Sequence, residues 1–200
     1  MAEILFDRKE QINEIAQNLF RTKGYAATSM RDLAKEVGIE PASLYSHVKS
    51  KEELLQKICF RIATEFFDVL QNILEEKLVN EEKLAAGIDA HVGVILNNLD
   101  ATTVFFHEWK HLSEPSLSEF KLLRNKYEKQ FRSIIEAGIE SGEFDEVDAH
   151  VSIKLLFAMM NSIHEWYNPK GKLKQKEIVK NIVEAFVRGV VSDMNIKTKN

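Results

Sequence analysis

The side chains of this chain that could do chemistry lie in two short stretches. In the first, Ser43, Tyr45, Ser46 and His47 follow Pro41 and precede Lys51. Hydroxyl, imidazole and ammonium groups set closely on one short segment suit hydrogen bonds to phosphate oxygens and base edges, not bond breaking. In the second, Glu108 and His111 form a Glu-x-x-His pair, with His107 four positions before His111. A helical di-metal site needs two such pairs and two further glutamates, and the six histidines supply one pair only. His107, His111 and a carboxylate have the spacing for a single zinc, but a polar helix face is the simpler reading, and no metal or other cofactor is expected. Cys59 sits between Ile58 and Phe60 in an apolar run, where a thiol is inert. No glycine-rich phosphate loop occurs, so no catalytic residue is assigned and no enzyme is expected.

The elements that must position the first group are short. Ser29 and Asp32 have the spacing of a capping box. Leu33, Ala34 and Val37 then give one apolar face. Gly38 ends that helix by accepting a left-handed backbone, and Ile39 plugs the turn. Pro41 suits the first turn of a second helix, with Leu44 and Val48 inward and the polar residues outward. Ser50 and Glu53 repeat the capping-box spacing and open a third helix. A helix-turn-helix and an ordinary helical hairpin both fit this spacing.

Around it, Ile12, Ile15, Ala16, Leu19 and Phe20 recur at helical intervals and predict a first helix over 7–23. A long helix follows over 51–78, about 40 Å at ~1.5 Å per residue. It carries no internal Gly or Pro and so serves as the linker. Further helices are predicted over 81–98, 101–111, 114–140, 147–167 and 175–194, with a turn at Asn168–Gly171 and a frayed tail from Lys197 to Asn200. No alternating strand pattern appears. The net charge is −4, yet residues 21–51 carry six basic against three acidic side chains, a weakly basic head on an acidic body. The lone cysteine fits a reducing cytoplasm. No signal peptide and no run of 18 apolar residues is present, so no membrane partner is expected.

The stretch resembles the DNA-binding head of TetR-family transcriptional regulators. It supplies Thr28, Leu33-Ala34, Gly38-Ile39, Leu44-Tyr45, His47 and the run Ser50-Lys51-Glu52-Glu53-Leu54, with Phe20, Gly24 and Tyr25 upstream. Val48 stands where the family usually has Phe, and Glu40 where a small hydroxyl residue is common. The resemblance implies double-stranded operator DNA as partner, with two heads on a near-palindromic site. Thr28, Tyr45, His47 and Lys51 are the candidates for phosphate contacts, Lys51 because a cation at a helix start opposes the dipole and calls for an anionic partner. Arg31, Ala42, Ser43 and Ser46 are the candidates for reaching bases, Ala42 through a thymine methyl.

The body is rich in aromatic residues. Each is read first as core; together they could line an apolar cavity with His and Tyr as polar handles. The candidate ligand-binding residues are Phe66 and Leu70 on the long helix, His91 and Ile95 on the next, and Phe105, Phe106 and Trp109 beyond it. Phe120, Leu123 and Tyr127 follow, and then Met159, Ile163 and Trp166. The last two long helices are apolar on more than one side, which favours a dimer interface through Leu156, Met160, Ile182, Phe186 and Val190, with Met194 widening the stripe. The family resemblance implies the same pairing. Residues 165–190, with the run 105–112 and Tyr127, also resemble the branch that responds to acyl-CoA thioesters and related lipids, which implies a small apolar effector such as an acyl-CoA or fatty acid.

The expected architecture is therefore all-α with about nine helices. A three-helix helix-turn-helix domain over 1–52 is joined by a long helix to a helical ligand-binding and dimerisation domain over 53–200. The expected function is that of a homodimeric, effector-released repressor in the cytoplasm. Two alternatives are a helical small-molecule-binding or metal-dependent enzyme with a vestigial head, and a helical adaptor that binds another protein.

Overall fold

Runs of 3.6-residue periodicity bounded by glycine, proline and polar caps leave the chain little but helix to form. The computed structural model agrees: no β-strand occurs among the described residues. It describes the backbone of residues 2–190 and the side chains of residues 8–187. The helices are α1 (Ala2–Lys23), α2 (Met30–Val37), α3 (Pro41–Tyr45), α4 (Lys51–Glu75), α5 (Asn80–Asn97), α6 (Leu99–His107), α7 (Ser116–Ser141), α8 (Ala149–Asn161), α9 (Ile163–Trp166) and α10 (Gln175–Val190). A single 3₁₀ turn, Trp109–His111, follows α6. The side chain of Val190, Met194 and the tail from Lys197 to Asn200 lie outside the described residues.

Local chemistry explains where boundaries differ from expectation. The segment expected as one helix over 147–167 breaks at Ser162, whose hydroxyl donates to the Met159 carbonyl at 2.9 Å, a serine competing for main-chain groups. Its start is set by Asp148, whose Oδ1 accepts from the N–H groups of His150 and Val151 at 2.9 and 3.0 Å, a side-chain N-cap. The helix expected over 101–111 tightens into the 3₁₀ turn after His107.

The chain forms two compact units. The first holds residues up to 64 together with 98–123; the second holds 65–97 and residues from 124 on. The head motif therefore shares its unit with α6, the 3₁₀ turn and the beginning of α7. In this unit Ile12, Ala16 and Phe20 of α1, Leu33 and Ala34 of α2, Leu44, and Leu55, Ile58 and Ile62 of α4 are buried. Burial of each of the leucine, isoleucine and phenylalanine side chains among them contributes about 1.5–3 kcal/mol before entropy is counted.

In the second unit α5 packs against α8, α9 and α10, and this corrects one expectation. Leu156, Met160, Ile182 and Phe186, read as a surface for a second chain, are 0, 0, 9 and 7% exposed. They are core residues, because α5 and the mutual packing of α8 and α10 already cover them. The outward side of α8 instead carries Val151 and Leu155, 51 and 59% exposed.

Gly38 closes α2 at φ +75°, with its N–H and that of Ile39 bonded to the carbonyls of Lys35 and Ala34 at 3.2 and 3.0 Å. No atom would crowd a Cβ there, so the demand for glycine is one of backbone conformation alone. Gly38→Ala should cost about 1–2 kcal/mol in urea unfolding, and Gly38→Asn, which tolerates the left-handed region better, should cost less. Equal losses would mean that something other than φ sets the residue.

Candidate functional site

α3 is just over one turn long, and its position is imposed from outside. Leu44 and Val48 are 0 and 3% exposed and pin its inner side. The Glu40 carbonyl, at the N-cap position before Pro41, accepts from the N–H groups of Ser43 and Leu44 at 2.9 and 3.1 Å. The Glu40 side chain makes no cap hydrogen bond. Val48, where the resemblance called for Phe, is fully packed. Upstream, Ser29 and Asp32 complete the capping box: Ser29 N–H donates to Asp32 Oδ2 at 2.8 Å and Asp32 N–H to Ser29 Oγ at 3.1 Å. The Ser29 hydroxyl also donates to Asp32. These bonds hold the Asp32 carboxyl below its ordinary range. Downstream, Glu53 N–H donates to Ser50 Oγ at 3.1 Å, while the Glu53 carboxylate accepts from Lys49 N–H at 2.8 Å rather than from Ser50.

With its inner side fixed, this segment turns Ala42, Ser43, Tyr45 and Ser46 to solvent, and Arg31 on α2 is exposed as well. Tyr45 is 55% exposed, so it does not spend its ring on packing. The Ser46 hydroxyl donates to the Ser43 carbonyl at 2.7 Å and keeps its lone pairs free to accept. His47 is half-buried. The exposed face is thus small, polar and rigidly backed, the form a groove-reading helix requires.

Two of the phosphate candidates sit differently. Thr28 is 1% exposed, and its hydroxyl donates to the Gly24 carbonyl at 2.9 Å. Its only side-chain hydrogen is committed to the α1–α2 loop, so Thr28 anchors that loop and has no proton to offer a phosphate. Lys51 has a partner within the chain. Its Nζ donates to the Tyr25 carbonyl at 2.7 Å and stands 4.1 Å from the centroid of the Tyr25 ring, a cation–π contact. The dipole argument for Lys51 therefore loses its force, although two N–H donors remain for a phosphate. Sequence reasoning gave Tyr25 no role. Its signal was the Gly-Tyr pair at the end of α1, and the ring is half-buried, with its phenol pushed up by burial and then by the Glu52 carboxylate.

The candidate ligand residues divide between the two units. In the first, Phe105 meets Phe106 and Phe120 edge-on at 5.1 and 5.2 Å, and Trp109 leans on Phe120 at 5.9 Å; Leu123 is half-buried. The Glu108–His111 pair of the metal reading is a 3.3 Å contact, and the His111 ring stacks on Tyr25 at 5.3 Å. In the second unit, Leu70, Ile95 and Ile163 are buried, Met159 is half-buried and Trp166 is 51% exposed. At the centre, His91 stacks on Phe66 at 4.4 Å and lies edge-on to Phe131 and Phe157. Its two nitrogens face Tyr127 OH at 3.1 Å and Asn161 Oδ1 at 3.0 Å. Because Asn161 Oδ1 can only accept, Nε2–H donates to it and Nδ1 accepts from the Tyr127 hydroxyl, which is the neutral tautomer. Asn161 was not foreseen; a polar residue ending an apolar helix was its only sign.

Burial lowers the His91 pKa to about 3, against about 6.5 unfolded, and pushes the Tyr127 phenol well up. Between these two His91 values the unfolded chain binds a proton that the folded chain refuses. The His91 contribution to stability is therefore whole above pH 6.5 and shrinks as pH falls toward 3. Urea unfolding at pH 7.5 and pH 5.0 should show wild-type stability falling by about 2 kcal/mol more than that of His91→Gln. Equal falls would place the acid sensitivity elsewhere.

Residues 12–58 match the family described as "Bacterial regulatory proteins, tetR family", and residues 78–190 match "Tetracyclin repressor-like, C-terminal domain". The chain is similar to the transcriptional repressor KstR2 of Rhodococcus jostii, 25% identical over 190 residues that cover 94% of this chain and 93% of that one. The structure of Mycobacterium tuberculosis KstR2 superposes with a TM-score of 0.89 at 23% identity, over 93% of this chain and 96% of that one. The fatty acid metabolism regulator of Bacillus subtilis is 21% identical over 90% of this chain and 94% of its own length. AibR, solved with isovaleryl coenzyme A and operator DNA, has a TM-score of 0.80 at 24% identity, over 90% of this chain and 97% of that one.

Proposed function

The chain belongs to the TetR family of DNA-binding transcriptional repressors, and we propose that it works as a homodimer released from a near-palindromic operator by an acyl-CoA thioester. The observation that carries the DNA half is the exposed face of Ala42, Ser43, Tyr45 and Ser46, backed by buried Leu44 and Val48. Ala42, Ser43, Ser46 and Arg31 reach base edges; Tyr45, His47 and the remaining donors of Lys51 meet phosphates. Thr28 contributes by holding the loop before α2.

Support for the effector comes from chemistry and from relatives. Aromatic clusters with a His–Tyr handle suit an acyl chain ending in a polar carbonyl. The exposed Trp166 is followed by exposed Lys170, Lys172, Lys174 and Lys176. A flat ring beside ammonium groups suits a nucleotide bearing phosphates. Among the relatives, one carries a fatty-acid name and another was solved with a coenzyme A thioester. For pairing, the described stripes of α8 and α10 are buried within the chain, and we assign the contact to the outward side of α8 with exposed Val151 and Leu155.

Two experiments test this reading. A duplex selected by the protein from a random-sequence library should be bound by a dimer and lost on adding palmitoyl-CoA, with affinity falling on the order of tenfold or more. Native mass spectrometry should show about one thioester per chain. A dimer that ignores fatty acids and acyl-CoA thioesters of every chain length tried overturns the effector reading and leaves the DNA half standing. Leu155→Asp should yield monomers whose affinity for the duplex drops about a hundredfold or more, as paired heads lose their linkage. A fully dimeric Leu155→Asp overturns the proposed surface.

A further inference from the structure

One short segment of the first unit touches the head at three points. Glu108 Oε1 comes close to Gly24, 3.8 Å from the point that a Cβ there would occupy. The His111 ring stacks on Tyr25. Ser113 N–H donates to Glu52 Oε1 at 2.8 Å. The middle contact matters most, because the Tyr25 carbonyl is a junction: it accepts from Lys51 Nζ at 2.7 Å and from Thr28 N–H at 3.2 Å. Thr28 is followed at once by Ser29, the cap of α2. One carbonyl thus sets both the start of the first helix of the motif and the cation at the start of α4. The Tyr25 ring meets both the Lys51 ammonium and the imidazole of His111, with Phe20 edge-on at 5.2 Å.

His111 shares its single 3₁₀ turn with Trp109, which leans on Phe120 in the aromatic cluster of the same unit. The two rings are only two residues apart on one turn, so a displacement of that turn would carry both. We propose that His111 is a positioning residue for DNA binding: its stack on Tyr25 holds the Lys51–Tyr25–Thr28 junction in register and links that junction to Trp109. That an effector uses the link rests on the reading above; the link itself does not. By reciprocity, if the turn couples Trp109 to the head, DNA bound at the head must be felt at Trp109.

The test therefore needs no effector. The full-length protein is labelled with 5-fluorotryptophan, and its two resonances are assigned with Trp166→Phe. The duplex selected by the wild-type protein is then titrated while ¹⁹F spectra and mobility shifts are recorded on the same samples. The side chain of His111 is more than a third exposed, and the urea midpoint of each variant is measured to confirm that the fold is retained. His111→Gln keeps a donor for Glu108 but has no ring; His111→Phe keeps a ring and loses the polar contact with Glu108. In the wild type the Trp109 resonance should shift on saturation with duplex. His111→Gln should abolish that shift and weaken duplex binding about fivefold, at the low end for coupled sites; His111→Phe should restore both. The proposal is overturned if Trp109 is silent in a saturated wild-type complex, if His111→Gln shifts as far as the wild type, or if His111→Phe fails to rescue. Failure of the acyl-CoA reading would appear instead as absence of palmitoyl-CoA binding in the mass spectra, with the ¹⁹F result unchanged.

Discussion

A helix of five residues cannot hold itself together in water, because nucleation costs more than one or two internal hydrogen bonds return. The segment Pro41–Tyr45 is such a helix, and most of the first unit is arranged around that constraint. Leu44 and Val48 tie it to the core beneath. Gly38 supplies the one backbone conformation that lets α2 stop and α3 begin within three residues. Pro41 fixes its first turn at no hydrogen-bonding cost. The outward residues are then free to be small and polar, since none is needed for stability. A reading surface made this way has its shape set by neighbours and its chemistry set independently.

The second unit meets a different constraint. A histidine without contact with water must either lose its charge or be paired, and His91 does the former. Tyr127 and Asn161 satisfy both of its nitrogens, and its neutral ring then stacks like any other aromatic. A buried polar group fully satisfied among apolar rings fixes one arrangement of α5, α7 and α8, because any other would leave a donor or acceptor bare. That is specificity of packing, and it lies where an apolar ligand with one polar end would need a handle.

Much of the head was legible in the sequence because its determinants are local. Ser29 with Asp32, Gly38 and Pro41 each act within four residues, and each does in the structure what its spacing implied. What stayed hidden depended on contacts across long separations. Lys51 read as a phosphate donor because its competitor, the Tyr25 carbonyl, is 26 positions away; Thr28 is the exception, since its competitor, the Gly24 carbonyl, is only four positions away and was hidden because spacing alone does not show a loop folding back on itself. On α8, Leu155, Leu156 and Met160 are equally apolar, so periodicity could not say which side α5 would cover. The answer came from the fold: Leu156 and Met160 inside, Leu155 outside. Asn161 was invisible because its meaning is its distance from a histidine seventy positions away.

The grouping of α6 and the start of α7 with the head has a practical corollary for exchanging heads between repressors. A graft cut after residue 58, where the match to the family's head ends, would sever the Arg21–Asp100 ion pair at 2.8 Å, the Glu52–Ser113 bond, the Gln56–Ser116 bond at 2.9 Å and the Tyr25–His111 stack. The recipient would then offer mismatched partners at all four points. A chimera that carries residues 98–123 along with its donor head transplants a self-consistent unit; two of its three seams fall inside α4 and α7, where continuous main-chain hydrogen bonds can bridge them, and the third falls in the short junction between α5 and α6.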